Sequence, residues 1–102
     1  MEKLQFAFPA GAPAQGRVLV GVVGSGDMEV LAEPGQAGQT TIAVTTSVDG
    51  CAWLWKAMLE RLFVNPKAEA LALEINDFGA TPGVVGMRIA QALAELAPAA
   101  TR

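Results

Sequence analysis

The segment "RVLVGVVGSGDMEVLA", residues 17–32, joins two β-branched runs through nothing more than Gly24–Asp27. So short a connection cannot carry a chain across a sheet, so the runs at 17–23 and 28–32 read as a hairpin with Ser25 at its tip. A plain reversal needs one glycine, or an Asn-Gly or Asp-Gly pair, to reach positive φ. Two glycines around a serine do more than turn the chain: they leave its hydroxyl unshielded.

The remaining pattern fills in a sheet with two helices. Leu4, Phe6 and Phe8 alternate with Lys3, Gln5 and Ala7 as a half-buried strand, which "PAGAPAQG" at 9–16 ends. After a second turn region, "EPGQAGQ" at 33–39, "TTIAVTT" at 40–46 predicts a fourth strand. Residues 51–63, "CAWLWKAMLERLF", lack Gly and Pro. They predict a helix with Trp53, Leu54, Met58, Leu59 and Leu62 on its apolar side, Lys56 and Glu60 on its polar side, and Asp49 or Ser47 as its cap. Asn65 and Pro66 stop it, and "ALALEIN" at 70–76 sends Leu71, Leu73 and Ile75 to one face of a fifth strand. Thr81-Pro82 is an N-cap and first-turn pair for a helix over about 82–97, with Val85, Ile89, Leu93 and Leu96 inward and Arg88, Gln91 and Glu95 on a polar stripe. The tail 98–102, "PAATR", is expected to fray.

The order β-β-β-β-α-β-α predicts an α+β domain, with both helices on one face of a mostly antiparallel sheet of about five strands. A parallel crossover over 40–76 would make that sheet mixed. With 102 residues, 52% of them apolar and 17% charged, the chain is expected to be one globular domain over 1–102.

Composition then removes function classes. A net charge of −3 without any basic run leaves no footprint for nucleic acid. Nothing approaches the roughly 18 apolar residues of a membrane span. The opening apolar run, Leu4–Phe8, is too short and too interrupted for a secretory signal, and the single cysteine makes no internal disulfide, so the expected location is cytoplasmic. The chain has no histidine and no tyrosine, which removes Ser-His-Asp and Cys-His catalysis and the usual zinc sites.

Each candidate residue also has a plain structural reading. Local chemistry alone makes Ser25 an ordinary turn residue, since neither a Walker motif nor a nucleophile elbow surrounds it. Cys51 stands where a helix dipole lowers a thiol pKa, yet without a histidine it reads as a core or helix-start cysteine. Trp53 and Trp55, two apart, cannot share a helix face, so one belongs to the core and the other to a contact surface. Asp77 with the turn Gly79–Gly83 could hold a phosphate at the last helix's N-terminus, although capping needs the same residues. Asp27 and Glu29, two apart and pointing the same way, make a weak metal or acid-base pair, and no metal is expected.

Together, "VGVVGSGDMEVLAEPG" at 20–35 and "INDFGATPG" at 75–83 resemble the acyl carrier (delta) subunits of malonate decarboxylases. The similarity includes "FAFPAG" at 6–11 and "TSVDG" at 46–50 and runs the length of the chain. A more distant resemblance is to the acyl carrier (gamma) subunits of citrate lyases, from which "FGATPG" departs after Gly-Ala. The helical fatty-acid carriers, with Asp-Ser-Leu at a helix start, differ more. The resemblance implies a non-catalytic carrier with 2'-(5''-phosphoribosyl)-3'-dephospho-CoA, a phosphopantetheine-type group, joined to the Ser25 oxygen through a phosphodiester. Gly24, Gly26 and Asp27 would support the turn, and Asp77, Gly79 and Thr81 would touch the arm. The implied partners are acyl-transferase and decarboxylase subunits and a prosthetic-group transferase. A citrate lyase carrier and an unmodified interaction module are the alternatives.

Overall fold

Five strands and two helices follow one another as β1 (Glu2–Pro9), β2 (Val18–Gly21), β3 (Met28–Pro34), β4 (Gln39–Thr46), α1 (Ala52–Leu62), β5 (Leu71–Asp77) and α2 (Pro82–Ala100). The computed structural model describes residues 1–21 and 26–100, with side chains through 96. The strands form one sheet in the order β1-β4-β5-β3-β2. Three neighbouring pairs are antiparallel, while β4 and β5, joined through α1, are parallel. The sheet is therefore mixed, as the crossover over 40–76 allowed.

Period-two alternation gives the sheet two unlike faces. Val30, Ile42, Val44, Leu73 and Ile75 are buried on one, whereas Gln5, Thr41, Ala43 and Glu74 are exposed on the other. Both helices cover the first face, α2 over β3 and β2 and α1 beside β1. Phe8 stacks on Phe63 with ring centroids 5.8 Å apart, which ties the sheet edge to the end of α1.

The expected hairpin is present, with Val18 opposite Ala32 and Gly21 opposite Glu29. Its tip, with Gly24 and Ser25, lies outside the described residues. Gly21 interrupts the apolar run for a steric reason. Its φ is +105°, and a Cβ there would stand 2.0 Å from the Met28 carbonyl oxygen. The segment 9–16 is more than a connector: Gly11 and Ala14 donate backbone hydrogen bonds to Ala68 and Ala70, so it closes over the entry to β5.

Three details of the helices differ from expectation. The buried seam of α1 holds Trp55 and Leu59, with Leu54 and Met58 half-buried, while Trp53 and Leu62 are exposed. Trp55 and Leu59, four residues apart, share the buried line, so Trp55 takes the core position that the pattern gave to Trp53. No side chain caps α1; its N-cap is Cys51, whose carbonyl accepts from Leu54 and Trp55, so neither Asp49 nor Ser47 serves. Finally, α2 continues through residues 98–100, which were expected to fray, and 101–102 lie outside the described residues. Proline costs a last turn one hydrogen bond, and the alanines around Pro98 are strong helix formers.

β5 allows a direct test of the two-faced sheet. Ile75→Ala is expected to cost about 2–5 kcal/mol because it leaves a cavity among fully buried neighbours. Glu74→Ala, one residue away on the open face, should stay within about 0.5 kcal/mol. Urea unfolding midpoints of the two variants would separate them.

Candidate functional site

The two motifs singled out in the sequence meet at one end of the sheet. Antiparallel pairing of β3 with β5 sets Met28 opposite Asp77. The ladder then runs one step beyond both strands: the Phe78 N–H donates to the Asp27 carbonyl at 2.9 Å and the Gly26 N–H donates to the Phe78 carbonyl at 2.8 Å. The base of the hairpin tip is thus hydrogen-bonded to the turn that leads into α2.

Gly26 has φ +78° and is exposed, and among the described residues, its chain neighbours aside, no atom lies within 4 Å of where its Cβ would stand. One residue beyond Phe78, a Cβ on Gly79 would stand 4.0 Å from the Gly26 nitrogen. Side chains at either glycine would narrow this end of the molecule.

Asp27 is held on both carboxylate oxygens. Oδ1 accepts from the Met28 N–H at 2.7 Å and from Arg88 Nε at 3.1 Å, and Oδ2 accepts from Arg88 Nη2 at 2.8 Å. Arg88, in the second turn of α2, also donates through Nη1 to Gln91 Oε1 at 3.2 Å. A two-pronged guanidinium-carboxylate contact fixes orientation as well as distance. The Arg88 hydrogen bond, then the Met28 N–H, hold the Asp27 carboxyl below its ordinary range, and Asp27 in turn raises Arg88 above its own.

This arrangement corrects the pairing of Asp27 with Glu29. Asp27 precedes the first residue of β3 and turns toward α2, whereas Glu29 accepts from Asn76 Nδ2 at 3.1 Å on the open face. Among the described residues no three acidic or thiol groups come together as metal ligands.

Asp77 is 5% exposed, and both of its oxygens have partners. Oδ2 accepts from the Thr46 hydroxyl at 2.7 Å, and Oδ1 accepts from the Ala80 N–H at 2.8 Å. The Asp77 carbonyl also accepts from the Ser47 N–H at 3.1 Å. Thr81 acts as the expected N-cap, its Oγ1 accepting from the Val84 N–H at 3.3 Å and its carbonyl from Val85 at 3.0 Å. Asp77 and Thr81 therefore shape the turn between β5 and α2, and Gly79 lies on its exposed crest beside Gly26. Cys51 is half-buried at the start of α1. Trp55 is core at 3% exposed, while Trp53 is 70% exposed and supplies the surface tryptophan that the spacing required.

Arg88 is the site residue that the sequence did not reveal. It read as one member of a polar stripe, and no local pattern names an acid 61 positions away. Its one signal is that it is the only basic residue of α2.

Known proteins resemble this chain in sequence and in fold. Residues 15–96 match the family model described as the malonate decarboxylase delta subunit (MdcD). The chain is 56% identical over 96 residues to a malonate decarboxylase acyl carrier protein of Pseudomonas syringae pv. tomato, covering 94% of this chain and 97% of that one. A relative of the same name from Azotobacter vinelandii is also 56% identical, with the same coverage. Among solved structures, a chain of a Pseudomonas malonate decarboxylase hetero-tetramer in complex with malonate superposes with a TM-score of 0.91 at 56% identity, over 94% of this chain and 99% of that one.

Two outcomes test the division of labour between the aspartates. Asp77→Ala removes the close acceptor of the buried Thr46 hydroxyl and leaves the Ala80 N–H unpaired, and is expected to lower stability by about 1–3 kcal/mol in chemical denaturation. For Asp27, whose pKa is depressed on folding, the contribution is complete above the unfolded-state aspartate pKa and is lost as pH falls through the folded-state value. The stability difference between wild type and Asp27→Asn should be constant above about pH 5 and shrink on acidification below it. Stability-pH curves that stay parallel through the acid range would contradict this.

Proposed function

Because the chain belongs to the malonate decarboxylase delta-subunit family, we propose that it works as the non-catalytic acyl carrier of such an enzyme, with Ser25 as the point of covalent attachment. The observation that carries this reading is the bare ledge formed where Gly26 pairs with Phe78, with open space around the Gly26 Cβ position and Gly79 beside it. Ser25 itself lies outside the described residues, next in sequence to Gly26. A transferase has to fit the acceptor hydroxyl and a bulky phosphorylated donor into one active site, and glycines on both sides of the serine leave room for that.

The group proposed is 2'-(5''-phosphoribosyl)-3'-dephospho-CoA, which when attached supplies a distal thiol able to carry an acyl thioester. The residues described fit it: the ledge is unobstructed, and the Asp27 charge nearest the tip is paired with Arg88. Gly26 and Asp27 hold the base of the tip, while Asp77, Gly79 and Thr81 shape the ledge beside it. The chain's contribution is tethering. A group on a flexible arm meets successive active sites at high local concentration without diffusing away. Those sites belong to acyl-transferase and decarboxylase subunits, and loading belongs to a prosthetic-group transferase, whose own base deprotonates the hydroxyl since this chain has no histidine. The proposed setting is cytoplasmic; among the described residues no helix is long and apolar enough to cross a membrane.

The test is the intact mass of the chain purified from a host carrying the complete enzyme system, with peptide mapping and a Ser25→Ala control. The expected result is a mass increase on Ser25, larger than phosphopantetheine and absent in the control. An unmodified chain in an extract with demonstrated malonate decarboxylase activity would refute the proposal.

A further inference from the structure

We propose that Arg88 is a positioning residue for modification of this carrier: by gripping both oxygens of Asp27, it fixes the frame from which the neighbouring Ser25 meets the transferase. The inference rests on the acceptor role of Ser25 and assigns to α2 a part in the same step.

Among the described residues, the backbone hydrogen bonds that hold Gly26 and Asp27 both go to Phe78. Two bonds to a single residue restrain rotation about the strand direction less than they restrain distance. Arg88 reaches Asp27 from a third element, through Nε at 3.1 Å and Nη2 at 2.8 Å to different oxygens of one carboxylate, and a planar two-pronged contact restrains that rotation. The Asp27 side chain is already tied to β3 by the Met28 N–H at 2.7 Å, and the guanidinium is set by Gln91 one turn further along α2 at 3.2 Å. Every joint of the frame is thus fixed to a core element.

The pair is placed to control geometry more than global stability. The Arg88 and Asp27 side chains are 20% and 25% exposed, and partly solvated ion pairs contribute little to the folding free energy. Meanwhile Asp27 is two residues from Ser25, where a small reorientation matters most. Misplacing a reacting group by about 1 Å can cost on the order of 100-fold in rate. Lysine would keep the charge but not the fork.

The experiment measures transfer of the prosthetic group from its phosphoribosyl-dephospho-CoA donor by the modifying transferase, followed by intact mass, for full-length wild type, Arg88→Met, Asp27→Asn, the double variant and Arg88→Lys. Amide hydrogen exchange at Gly26 and Phe78 is read in parallel. Both single variants should lower kcat for transfer by about 10- to 100-fold with little change in the KM for donor, and both should speed the two amides' exchange. The double variant should be no slower than the slower single, because one linkage is removed either way. Arg88→Lys should recover part of the rate. A wild-type transfer rate in Arg88→Met would overturn the proposal, as would multiplicative effects of the two substitutions. A donor KM raised in Arg88→Met alone would overturn it too, since Arg88 would then be touching the donor. If Arg88→Met fails to fold, Arg88→Lys decides: slowed transfer with faster exchange supports the role, and wild-type values of both refute it. A wild-type chain that acquires no group overturns the acceptor reading and this role with it, and the exchange data then report separately whether the Arg88 contact restrains the hairpin base.

Discussion

β5 lies inside the sheet, bonded to β4 on one side and β3 on the other, and its register determines where everything else at the candidate site falls. A shift of one residue would turn Leu71, Leu73 and Ile75 to the open face and bring Glu74 and Asn76 under the helices. The alternation therefore excludes odd-residue slips, and in the register adopted Met28 faces Asp77. Continuing that ladder by one step brings Gly26 and Asp27 against Phe78. The meeting of two glycine-bearing motifs, roughly 50 residues apart, thus follows from the register of a strand that contains neither glycine.

Two aspartates at this end solve different problems. Asp77 is removed from water and faces a hydroxyl and an amide, so its hydrogen bonds guard against the desolvation cost of a buried polar group. Through Thr46 it also locks the ends of β4 and β5 to each other and, through Ala80, to the start of α2. Asp27 keeps partial contact with solvent and faces a cation, a combination that weighs little in the folding balance but is strict in direction. One carboxylate fixes the turn from β5 to α2, and the other links the start of β3 to α2.

Much of this was legible beforehand. Period-two runs with turn residues between them located all five strands, and Thr81-Pro82 marked the start of α2. What stayed hidden depended on tertiary choice. The broad apolar side of α1 allows two neighbouring seams, and only contact with the sheet selects Trp55 over Trp53. The Asp27 side chain could have followed the strand alternation toward Glu29; a guanidinium arriving from a helix 61 residues later turned it the other way. In the turn at 77–83 the Asp77 carboxylate faces into the fold, while the Thr81 hydroxyl caps α2 at the surface. Residue types announced that turn, and they carried no information on which way each oxygen would point.

A carrier without a histidine or tyrosine has few means of influencing chemistry at its own hydroxyl. It cannot raise the nucleophilicity of a serine by general base catalysis with those groups, so on the acceptor reading the activating proton transfer belongs to the transferase. The chain still controls orientation and access. Access comes from glycines, which lower steric cost but also loosen the backbone they occupy. A tip opened by glycine needs compensating restraint at its base, or the entropy of orienting the hydroxyl returns to the barrier of the transfer step. The bonds to Phe78 and the Arg88 fork on Asp27 provide that restraint just where the glycine segment begins. On the acceptor reading, flexibility is then left to the attached arm, where it helps a tethered group reach several active sites, and is withheld from the platform, where it would only slow each encounter.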